Sequence, residues 1–187
     1  MMIETWRKFL KESANSDVWY HGSNCKIDKF KTFHKQSFGP DVQEVPIFVT
    51  KSLSFAKAYG NCKGGKVYKC RLSPNLKIFS GSQLFETDCK YWPPEVECLS
   101  ELGLKLLKDL ESGNVFEHCK DDEHESLQAI ADISQHFYST VEDSRFTKWL
   151  RENEFDGCFT REGTSEPMEE NAFIFNPENI EIIENQI

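Results

Sequence analysis

Two observations predict an α+β fold for this chain. Short β-rich runs cluster toward its two ends, at 18–20, 45–50, 66–72, 155–159 and 172–177, and each is closed by Gly, Pro, Ser or Asn. Between them, residues 81–152 carry leucines and aromatics at helical spacing.

The elements follow in order. Ile3, Trp6, Phe9 and Leu10 share one helical face, and Ser13 to Asp17 is a polar linker, so residues 1–17 form an N-terminal helix and linker ahead of a domain at 18–187. Val18-Trp19-Tyr20 is apolar and stops at His21-Gly22-Ser23. Such a strand can end at a ligand pocket, because glycine lets the backbone approach a ligand while imidazole and hydroxyl supply donors and acceptors. The same tripeptide also suits an ordinary turn with a surface histidine. Val45 to Tyr59 reads as a strand feeding a helix, capped by Ser52 or Ser54, with the Phe55 and Tyr59 rings on one face at i, i+4. Lys66 to Leu72 alternates as a strand does, and Ser73-Pro74-Asn75 ends it.

In the helical region Leu99, Leu102, Leu106, Leu107 and Leu110 share a face that ends at Gly113. Leu127, Ile130, Ile133, Phe137 and Tyr138 mark a second helix. A third, from Val141 to Glu152, presents Phe146, Trp149 and Leu150, with Glu142 and Asp143 at its positive end.

Composition bounds the function classes. The chain has 187 residues, suited to one domain with an aromatic-rich core: 15 Phe and 4 Trp. No apolar run approaches the roughly 20 residues that span a bilayer, and the N-terminus lacks a secretory pattern, so a cytoplasmic location is expected. A net charge of −9, from 22 basic and 31 acidic residues, argues against general binding to nucleic acid. Lys26, Lys29, Lys31, His34 and Lys35 are a local basic exception, suited to a pyrophosphate, an acidic partner or a solvated loop. Seven cysteines without a C-x-x-C pair read as reduced thiols. His118-Cys119 and His124 lack the second cysteine pair of a zinc site, so no metal is expected.

Taken in order, Tyr20-His21-Gly22-Ser23, Ile47-Phe48-Val49-Thr50 with Ala56 and Tyr59, Gly65 to Leu72, and Phe155-Asp156-Gly157 followed by Phe173 to Ile180 resemble the ADP-ribosyltransferase family. The branch is that of diphtheria toxin, the poly(ADP-ribose) polymerases and small phage or bacterial toxin domains. The resemblance implies a split β-sheet core with a helical insertion at about 81–152, and NAD as co-substrate. It implies that His21 bonds the ribose beside nicotinamide, that the Gly22 backbone holds the carboxamide, and that Phe48 and Tyr59 sandwich the ring. Ser23 and Thr50 would line the same pocket. The family places a glutamate at the start of the last motif's strand, where it stabilises the cation formed as nicotinamide leaves. Here Asn171 holds that position, preceded by Glu169 and Glu170, so either a neighbouring glutamate swings in or activity is weak or absent.

The implied activity is mono-ADP-ribosyl transfer to a protein, nucleic acid or small-molecule acceptor. A catalytically silent binding module and an NAD glycohydrolase are the alternatives. Leu10-Lys11-Glu12 also resembles the site at which prohead proteases trim packaged proteins of tailed phages, which would imply virion packaging and delivery into a host cell.

Overall fold

The computed structural model describes residues 18–31, 33–36, 42–60, 65–86, 95–115, 122–135, 144–160 and 171–185. The expected N-terminal helix with its cleavage-like site, the His118-Cys119 pair, and Glu169 and Glu170 lie outside these described residues. The architecture is α+β, as the sequence predicts. The chain divides into two compact units, Met1–Leu76 with Ile174–Ile187, and Lys77–Phe173.

In the first unit β1 (Val18–Ser23), β4 (Ile47–Thr50), β5 (Lys66–Leu72) and β9 (Ile180–Asn185) lie in the order β4-β1-β5-β9. β1 pairs antiparallel with β5 along its whole length, from Val18↔Arg71 to Ser23↔Lys66. β5 pairs in turn with β9. β2 (Phe33–Gln36) and β3 (Val42–Val45) form a separate antiparallel pair. One helix, α1 (Leu53–Gly60), follows β4, and the Ser52 hydroxyl accepts the Phe55 amide at its start. Trp19, Val49, Ala56, Val67 and Cys70 are buried, which gives the short strands a common apolar core. After β5 the chain turns at Ser73-Pro74-Asn75, where Asn75 takes a left-handed conformation (φ 69°) that asparagine tolerates better than most residues.

The second unit contains β6 (Ile78–Phe79), which pairs parallel with β7 (Gly157–Thr160), and, beside β7, all of β8 (Asn171–Ile174) except its last residue. Its helices are α2 (Glu101–Glu111), α3 (Glu123–Gln135) and α4 (Ser144–Glu152). Ser100 caps α2 by accepting the Gly103 amide, so Leu99 precedes the helix instead of joining its face; it forms an isolated bridge to Phe85. The expected apolar stripes do face inward: Leu106, Leu110, Ile130, Ile133, Phe146 and Leu150 are fully buried or nearly so. Phe79 meets Phe146, Trp149 and Phe155 edge-on at 5.9, 6.4 and 5.3 Å, a geometry aromatic quadrupoles favour. Trp149 Nε1 donates to the Asp109 carboxylate at 2.8 Å, which ties α4 to α2. In the Phe155-Asp156-Gly157 motif the Asp156 amide donates to the Lys77 carbonyl and its carboxylate accepts the Lys77 amide, both at 2.9 Å. This motif therefore closes the β6–β7 end of the unit.

Candidate functional site

Strand β1 carries the histidine motif to a place where the sheet opens. Along one edge β1 is fully paired with β5, but its ladder with β4 is the single pair Tyr20↔Thr50. Beyond that pair a side chain takes over the bridging. His21 Nδ1 lies 2.7 Å from the Phe48 carbonyl oxygen. Since a carbonyl only accepts, Nδ1 carries the proton and donates, which leaves Nε2 of the neutral ring as an acceptor. Burial lowers the His21 pKa below its ordinary 6.5, outweighing the opposing effect of the bond to Phe48, so the ring is neutral at pH 7. A neutral imidazole with a fixed tautomer suits it to accept a hydrogen bond from a ligand hydroxyl.

The ring is further held by Phe30, edge-on at 5.0 Å, and lies 6.5 Å from Tyr68. Tyr68 does more than pack. Its hydroxyl accepts the Ile27 amide at 2.7 Å and donates to the Cys25 carbonyl at 3.1 Å, pinning the loop that follows His21-Gly22-Ser23. No local pattern announces this role, because Tyr68 reads only as an alternating strand residue and its partners lie 41 and 43 positions away. Phe30 is also unannounced; only its bulk in a polar loop hints that it returns to the core.

Gly22 also has a steric duty. A Cβ built there would lie 2.0 Å from the Ala56 carbonyl oxygen and 2.9 Å from the Gly60 amide nitrogen, both backbone atoms of α1. The missing side chain makes room for the helix. Gly65 repeats the device, since its Cβ would fall 1.5 Å from the Gly60 oxygen. Together these glycines seat α1 directly on β1 and on the start of β5.

The two rings expected to act as a pair lie side by side. Phe48 and Tyr59 have ring centroids 5.8 Å apart with planes inclined at 41°, and Phe55 joins them at 6.0 Å from Phe48 and 5.3 Å from Tyr59. The sequence places Phe55 and Tyr59 on one face, but not Phe48 against both. Tyr59 is 45% exposed, high for so large an aromatic ring.

Two hydroxyls attributed to the pocket serve the backbone. Ser23 Oγ accepts the Cys25 amide at 3.1 Å and Thr50 Oγ1 accepts the Ser52 amide at 3.0 Å, each closing a turn at a strand end. Thr50 is 1% exposed, and its hydroxyl caps this turn. The Ser23 hydroxyl proton remains able to donate. Of the basic residues, Lys26 pairs with Asp28 at 3.0 Å on the surface. Asn171 begins β8 in the second unit and is fully buried.

No family model matches this chain, and neither a curated protein nor a solved structure matches it significantly. Among the described residues no helix is long and apolar enough to cross a membrane.

Proposed function

We propose that this protein binds NAD through its first unit and is a mono-ADP-ribosyltransferase. The observation that carries the reading is a tautomer-fixed, neutral His21 bonded to the backbone of Phe48, whose half-buried ring meets that of the exposed Tyr59 at the point where β1 and β4 part. His21 Nε2 accepts a hydroxyl of the nicotinamide ribose. Phe48 and Tyr59 offer ring faces to nicotinamide, and loss of a hydroxyl at Phe48, where the family has tyrosine, leaves that face intact. Transfer then needs a negative group beside the ribose as the glycosidic bond breaks, and electrostatic stabilisation of this kind is often the largest catalytic contribution. The resemblance assigns that role to a glutamate, and in this sequence Glu169 and Glu170 precede the Asn171 that holds its place. The acceptor is a protein, nucleic acid or small molecule; water in its place makes the reaction NAD hydrolysis.

One observation favours a second reading, a silent NAD-binding module. Asn171, at the family's glutamate position, is uncharged and fully buried. Incubation with labelled NAD and candidate host lysates separates the readings. The transferase reading expects label on a macromolecule, a loss of about 100-fold or more in Glu170→Gln, and no transfer by His21→Ala. Stabilisation by NAD without transfer or cleavage marks the silent module. At about 100 times its dissociation constant NAD should add about 2.7 kcal/mol, and an unchanged melting temperature with NAD, nicotinamide and ADP-ribose would refute both.

A further inference from the structure

We infer that one internal water molecule sits between the Thr160 hydroxyl and the Asn171 carboxamide, joining the end of β7 to the start of β8 inside the second unit. Thr160 is fully buried, and among the described residues its Oγ1 has no hydrogen-bond partner. A hydroxyl in that position is costly, because folding strips it of solvent and gives it no bond in exchange. Bulk solvent cannot reach it. The polar side chain that shares its face of the strand, two positions earlier, is no substitute, since the Cys158 thiol is engaged with the Phe173 backbone.

Strand geometry supplies the second partner. β7 and β8 are hydrogen-bonded neighbours, with Thr160 the last residue of the first and Asn171 the first residue of the second. Their connection, residues 161–170, is shorter than the roughly dozen residues a parallel crossover needs, so the strands run antiparallel and both residues stand at the same end. Cys158 and Phe173 meet two positions inward on each strand, and two positions outward, on the same faces, Thr160 comes beside Asn171. Neighbouring strands lie about 4.8 Å apart. A water making two hydrogen bonds of about 2.8 Å at its tetrahedral angle spans about 4.6 Å, which matches that gap. The Thr160 O–H donates to the water oxygen, and the water donates to the carboxamide oxygen of the equally buried Asn171. A carboxamide makes up to about four hydrogen bonds, so Asn171 serves the water alongside its other contacts. Two polar groups are about the minimum that a buried water requires. This water belongs to the fold and owes nothing to NAD.

The sign of one stability change separates a bridged hydroxyl from an unpaired one. Thr160→Val keeps the shape of the side chain and removes its oxygen. With the water in place, the variant leaves a buried polar group short of a partner, and the melting temperature of the full chain should fall by about 2 °C or more. Were the hydroxyl unpaired, the added methyl would leave the melting temperature unchanged or raise it, and the inference would be overturned. Water-to-amide NOE spectroscopy gives the direct measurement. A long-lived water should contact the Thr160 and Asn171 amides in wild type, persist in Thr160→Ser, which keeps the hydroxyl, and vanish in Thr160→Val. Its absence from wild type overturns the inference whatever the variants do, including a Thr160→Val that fails to fold. A water that survives in Thr160→Val is held by other groups, and the role assigned to Thr160 falls.

Discussion

Gly22→Ala separates the two duties that a glycine in this motif can have. The added Cβ would lie 2.0 Å from the Ala56 oxygen, 2.9 Å from the Gly60 nitrogen and 3.0 Å from the Ala56 carbonyl carbon. All three are backbone atoms, so no rotamer change relieves the clash. To restore ordinary contact near 3.4 Å, α1 and β1 must part by about 1 Å or more, and overpacking on this scale costs about 1 to 3 kcal/mol or somewhat more. For a chain of this size each kcal/mol corresponds to about 2 to 4 °C. We therefore expect Gly22→Ala to lower the melting temperature by about 2 to 12 °C, measured by calorimetry or circular dichroism without ligand. Gly65→Ala should act similarly, because its Cβ would meet the Gly60 oxygen at 1.5 Å. If Gly22→Ala melts within 1 °C or so of wild type and loses only NAD binding, the steric argument is wrong and the glycine serves the ligand alone.

Two other changes test the machinery around it. Because burial holds the folded pKa of His21 below 6.5, the unfolded chain takes up the proton more readily, so this group's contribution to stability is complete above pH 6.5 and is lost as pH falls below it; urea midpoints at pH 7.5 and 5.5 should differ less in His21→Gln than in wild type, and an unchanged difference would show that His21 does not titrate this way. Tyr68→Phe removes the hydroxyl shared by the Ile27 amide and the Cys25 carbonyl and should cost about 1 to 3 kcal/mol, with faster hydrogen exchange at Ile27; unaltered exchange there would refute the pinning of this loop.

Periodicity and turn residues made much of the fold legible. Lys66–Leu72 alternates and ends in a Ser-Pro-Asn turn, and the strand observed has those same bounds. Apolar spacing likewise identifies α2 and α4, while Ser100, a residue whose side chain competes with Leu99 for the helix start, moves the boundary. The candidate site was legible in its residue types and less so in their duties. The sequence shows glycine and hydroxyl at Gly22, Ser23 and Thr50 without showing what lies beside them; the structure sets α1 against Gly22 and gives each hydroxyl a turn amide. The His21 bond to Phe48, the Tyr68 anchor and the packing of Phe48 against Tyr59 arise from contacts between different elements, and composition or spacing carries no trace of those.

Asn171 shows why placing a glutamate where the proposed transferase reading looks for one need not supply its chemistry. The side chain is fully buried, and burial alone can raise a carboxylate's pKa to as high as about 8 to 9. Asn171→Glu would then fold with a neutral acid and add no negative charge at pH 7. The sign of its effect on stability follows: its folded pKa lies above the unfolded value of about 4.3, so the variant is best tolerated below that pH and loses stability as pH rises. Relative to wild type, Asn171→Glu should unfold more readily at pH 8 than at pH 5, by up to several kcal/mol, in paired denaturant titrations. Any gain in NAD cleavage should appear only on the alkaline side, where the carboxylate is ionised. A variant equally stable at both pH values and active at pH 6 would show that position 171 readily accepts a charged group. Asparagine there would then be a choice of chemistry, not a consequence of burial.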